Sequence, residues 1–149
     1  MQSNADIVKM ISMVHAPHLE LPDHCSFHVF MSHVWATGQA RIHVIVRKMQ
    51  LLLPRLKVWL DVDNLNDTSK LENWVGASAV ILIFYSKGYF KSKNCRRGVY
   101  AVIKFDKPII LLYEGDRSVL EDMQKECVRY CNDEGEGDGD DVPIATSIL

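Results

Sequence analysis

Six apolar residues, Val80 to Tyr85, run without a polar interruption between Ala79 and the turn-like Ser86-Lys87-Gly88. A strand with one wet face alternates apolar and polar side chains, so an unbroken run suits a strand covered on both faces, as in a parallel sheet. The rest of the chain must then supply further strands alternating with helices.

It does so in order. Ser26 to His33 alternates Phe27, Val29 and Met31 with His28 and Phe30 and reads as a first strand, followed by a loop over Trp35 to Gly38. From Gln39, residues Ile42, Ile45, Val46, Met49, Leu52 and Leu53 recur at helical spacing until Pro54 stops the helix. Lys57 to Leu60 is a second strand running into the polar stretch Asp61 to Asp67. Ser69-Lys70-Leu71-Glu72 has the form of a capping box, opening a helix that turns Leu71, Trp74 and Val75 inward. Beyond the central strand, Cys95, Val99, Val102 and Ile103 mark a helix, Ile109 to Tyr113 a fourth strand, and Val119, Met123, Cys127 and Tyr130 a last amphipathic helix. Val142 to Leu149 reads as a fifth strand or a tail. At the other end, Ile7, Met10, Ile11 and Val14 suggest a short helix, broken by Pro17 and Pro22, so that residues 1–24 form a helix and linker ahead of a domain over 25–149.

The expected fold is α/β: a flavodoxin-like, three-layer sandwich with a parallel five-stranded sheet in the order 2-1-3-4-5. In that order, strands one and three are neighbours whose connections leave toward opposite faces, which opens a crevice at their carboxyl ends. The loops at this crevice are Ser32 to Gly38 and Ser86 to Lys93, with Asp61 to Thr68 nearby.

A chain of 149 residues that is 48% hydrophobic has enough apolar surface for one core. Its four cysteines include no CxxC pair, which points to reduced thiols in a cytoplasmic setting rather than a disulfide frame. No apolar run approaches the roughly 20 residues needed to cross a bilayer, so no membrane span is expected. The six histidines fit no zinc-ligand spacing, and no metal is expected. Six of the 19 acids fall between 133 and 141, a flexible acidic loop; the remainder sets 17 bases against 13 acids. That bias is too small to argue for nucleic acid, and no nucleic-acid motif accompanies it.

Lys87, Lys91, Lys93, Arg96 and Arg97 gather where the third helix should begin. A helix N-terminus with clustered bases favours an anionic or phosphate-bearing ligand; a solvated basic loop is the alternative. Cys95 has two readings as well, a nucleophile activated by neighbouring arginines or a buried thiol on the apolar face. Gly98 lies inside the helical pattern, where glycine costs about 1 kcal/mol relative to alanine.

With these parts in place, the sequence resembles a Toll/interleukin-1 receptor (TIR) domain over Ser26 to Asn132. The matching stretches are FHVFMSH, VWLDVDNL running into the family's long BB loop, AVILIFYSKGYFKSKNC, and KPIILL. The resemblance implies a cytoplasmic, self-associating module of innate-immunity signalling that pairs with other TIR domains. The interaction loop would carry Asp63, Asn64, Asn66 and Asp67. It also brings in the enzymatic branch of the family, hydrolases (NADases) that cleave NAD through a glutamate in the third helix. That branch implies a nucleotide pocket at Phe30, Ser32, His33, Trp35, Asp61, Leu65, Ser86, Tyr89 and Cys95, with NAD as substrate or ligand and no resident cofactor. The family's glutamate maps onto Gly98, so NAD hydrolysis is expected to be impaired; the alternative is a purely non-catalytic TIR–TIR scaffold. A response-regulator receiver shares the fold class, but Asp61 and Asp63 follow the second strand rather than the third. P-loop and dinucleotide glycine fingerprints are absent.

Overall fold

The computed structural model describes residues 19–60 and 70–131. The N-terminal helix, the loop from Asp61 to Thr68, the acidic stretch and the fifth strand or tail all lie outside the described residues. Within them the chain alternates β1 (Phe27–His33), α1 (Trp35–Leu52), β2 (Val58–Leu60), α2 (Leu71–Gly76), β3 (Ser78–Tyr85), α3 (Lys93–Lys104), β4 (Ile109–Tyr113) and α4 (Ser118–Cys131). All strand pairs are parallel, in the order β2-β1-β3-β4.

Alternation along β3 explains its unbroken apolar run. Leu82 and Phe84 face one side, where they meet Val29 and Met31 of β1 and Ile42 and Val46 of α1. Ile81, Ile83 and Tyr85 face the other, against Val99 and Val102 of α3 and Met123 and Cys127 of α4. Every one of these strand residues is buried, and burial of such a side chain contributes about 1.5–3 kcal/mol. Both faces of the sheet are therefore dry at β3, and the parallel, three-layered α/β arrangement follows.

Two expectations need correction. Trp35 to Gly38 is not a loop but the first turn of α1, closed by a 2.9 Å hydrogen bond from the Gly38 N–H to the Val34 carbonyl. Gly38 belongs there because of packing: a Cβ would stand 3.3 Å from Phe84 Cδ1 and 3.4 Å from His33 Cβ. The capping box also fails on its glutamate. Ser69 lies outside the described residues, and Glu72 engages Arg97 of α3, the shortest contact being 2.8 Å. The start of α3 is capped instead by Ser92, whose side chain accepts from the Cys95 N–H at 3.3 Å.

Candidate functional site

Ser32 pairs with Ile83 and His33 with Phe84, so the carboxyl ends of β1 and β3 lie side by side. From there the chain leaves into α1 on one face and into the loop before α3 on the other. Gly88, at φ +92, supplies the left-handed turn in that loop. The loop is held at several points. The Glu126 carboxylate accepts from the Tyr85 hydroxyl at 2.8 Å, the Gly88 N–H at 3.2 Å and the Phe90 N–H at 2.9 Å. Arg96 Nη1 donates to the carbonyls of Phe90 at 2.6 Å and Lys91 at 3.0 Å, and the hydroxyls of Thr37 and Ser86 are bonded at 2.7 Å. The basic cluster thus divides. Arg96 is buried as a brace and Arg97 ties α3 to α2, whereas Lys87, Lys91 and Lys93 are exposed.

Gly98 is buried on the inward side of α3. Outside its own helix backbone, a Cβ built there meets nothing within 4 Å, and the position borders a crevice too narrow to admit a water molecule. Phe30, Ser32, Ile81, Ile83 and Tyr89 form its other walls. The walls themselves are core: Phe30 stacks on Trp59 with centroids 4.7 Å apart, and fully buried Tyr89 shares a 2.5 Å hydrogen bond with Ser32.

Burial sets the protonation of this region. It raises Tyr89 well above the usual phenol range, with Cys95 adding to the effect, so the hydroxyl stays protonated. Cys95 is pushed up to about 11 by burial, which prevails over the lowering effects of Ser92 and Arg96. Of the two readings of this thiol, the structure supports the buried one; its Sγ donates to the His33 carbonyl at 3.5 Å. His33 is lowered by burial and then by His43, which favours a neutral ring. That ring lies over Trp35, with centroids 6.2 Å apart.

The expected pocket residues are therefore only partly brought together. Phe30, Ser32, Tyr89 and Gly98 share the crevice, Cys95 is tied to the His33 carbonyl, and His33 and Trp35 stack where β1 passes into α1. Ser86 lines a separate, wider cleft between the β3–α3 loop and α4. Asp61, Leu65 and the interaction-loop residues Asp63, Asn64, Asn66 and Asp67 lie outside the described residues. Sequence reasoning passed over Glu126, whose one visible signal was a carboxylate beside the apolar stripe of Met123 and Cys127. Among the described residues, no three His, Cys, Asp or Glu side chains gather as a metal site, and no helix is long and apolar enough to cross a membrane.

No family model and no curated protein matches the sequence. Among solved structures, the chain is similar to the TIR domain of the Toll-related receptor TRR-2 from Hydra magnipapillata. The TM-score is 0.49 at 15% identity, over 70% of this chain and 97% of that one.

Proposed function

We propose that the chain is a self-associating TIR-type signalling module related to the NAD-cleaving branch, with cleavage impaired at Gly98. The ordered motifs from FHVFMSH to KPIILL support the reading, as does the adjacency of β1 and β3 in the parallel sheet. The observation that carries it is that a side chain begun at Gly98, onto which the enzymatic branch's glutamate maps, would meet no neighbour within 4 Å of its Cβ. A carboxylate there would stand near the Ser32 and Tyr89 hydroxyls and could stabilise the positive charge that develops on a ribose as nicotinamide leaves. Glycine supplies no such group, a loss that commonly lowers rates by about 10² to 10⁴.

Nicotinamide release from NAD at high protein concentration tests this. The chain as given should be near silent and Gly98→Glu should turn over, with self-association followed for both by sedimentation velocity. A second reading, the purely non-catalytic scaffold, is favoured by one observation: Phe30 and Tyr89 are packed into the core rather than left open to a nucleotide. Under that reading, Gly98→Glu stays silent while both proteins still associate. Activity in the unmodified chain would overturn both.

A further inference from the structure

The wide cleft between the β3–α3 loop and α4 is separate from the narrow crevice at Gly98. It measures about 770 Å³, within the range of small-molecule sites. Its floor, on the α4 face of the sheet, is largely apolar, made by Tyr85, Val119 and Tyr130. Its rim is charged, with five bases, Arg41, Lys87, Lys91, Lys125 and Arg129, against three acids. The acids are all engaged. Glu114 pairs with Arg41 at 2.8 Å, Asp122 stands 4.0 Å from Lys125, and Glu126 accepts the three hydrogen bonds from the loop. Lys87 and Lys91 have no ion-pair partner among the described residues, and the Arg129 guanidinium lies 5.4 Å from the centre of the Tyr130 ring. Three cations from two elements therefore border one apolar floor, with no acid among the described residues matched to them.

The loop side of this rim is also fixed in advance. Glu126 holds Gly88 and Phe90, the residues on either side of the turn, so Lys87 and Lys91 are presented by an anchored loop. Preorganised charges of one sign beside a desolvating floor select a ligand that is anionic at one end and apolar at the other.

We propose that this cleft binds a small phosphate ester with a flat apolar body, its phosphates at Lys87, Lys91 and Arg129 and its body on Tyr85, Val119 and Tyr130. A bare anion would leave the floor uncovered, and an uncharged ring would leave the cations unmatched. The test is amide-resolved NMR titration of the full chain with ADP, pyrophosphate and adenosine as separate probes. ADP should bind more tightly than either fragment and shift the amides of Lys87, Lys91 and Arg129. Lys87→Glu combined with Lys91→Glu should weaken ADP by about tenfold or more, and added salt should weaken it further. These lysines are exposed, and melting curves would verify that the variant folds. Lys48→Glu, an exposed charge change on α1 outside the cleft, should leave ADP binding unchanged. Three results would overturn the proposal: no shifts at the cleft with ADP, equal weakening by Lys48→Glu, or pyrophosphate binding as tightly as ADP. Because the readout is binding at the cleft, it stands or falls independently of nicotinamide release.

Discussion

Gly98 carries two consequences, one for chemistry and one for stability, and they separate experimentally. Glycine in a helix interior gives the unfolded chain more freedom than alanine does, at about 1 kcal/mol. Whether a methyl group can recover that energy depends on space, and a Cβ at this position has no neighbour within 4 Å. Gly98→Ala should therefore stabilise the protein by about 1 kcal/mol, seen calorimetrically as a rise in Tm of about 3 °C. A fall in Tm would mean that α3 packs too tightly on β1 and β3 to admit the methyl group. The contrast is Gly38, also in a helix, where the same methyl would press on Phe84 and His33.

At the scale of elements, the segment from Ser86 to Ser92 has the composition of a mobile loop, yet side chains from α1, α3 and α4 tie it down. Glu126 is the principal tie because one carboxylate answers two backbone N–H groups and a phenol. The Tyr85 hydroxyl is correspondingly held above its usual range, first by burial and then by that carboxylate. Removing the acceptor leaves its donors to find water or remain unpaired. Glu126→Ala should cost about 2 kcal/mol and speed hydrogen exchange at the Gly88 and Phe90 amides, while amides in the middle of β3 keep their protection. Unchanged exchange at those two amides would mean that Glu126 is not the anchor. The helix hid this role, since at helical spacing Glu126 reads as an ordinary polar neighbour of the buried stripe.

For the whole molecule, buried titratable groups bound the pH range of full stability. His33 titrates below its ordinary 6.5 because burial, and then His43, disfavour the charged ring. Its contribution is therefore present above about 6.5 and is lost as pH falls through the folded value. Cys95 titrates at about 11 rather than 9.0, so its contribution is complete below 9.0 and is lost as pH rises toward 11. Cys127 acts in the same direction, raised first by its contact with Cys131 and then by burial. Tm should be level between about pH 7 and 8.5 and fall on both sides. His33→Gln should flatten the limb just below 6.5, and Cys95→Ala should reduce the alkaline slope. Limbs that neither substitution alters would assign the pH dependence to other groups.

Much of the architecture was legible because it rests on local pattern. The unbroken run from Val80 to Tyr85 required cover on both faces, and the helical spacing of Ile42 and Val46 or of Val99 and Val102 showed which residues would provide it. The unbroken run, the helical spacings and the alternation of strands with helices thus determined the four strands and the parallel α/β class, as hydrophobic burial is fixed by which side chains share a face. Gly98 was visible too, as a residue that weakens its own helix. Local pattern misread Trp35 to Gly38, because a glycine chosen for its contact with Phe84 looks the same in sequence as one chosen for a turn. It also could not say which of five bases would be buried as braces and which would face solvent, nor that Glu126 would reach across 36 to 41 residues to hold the loop. Those outcomes depend on contacts between residues distant in the chain, and only the tertiary structure decided them.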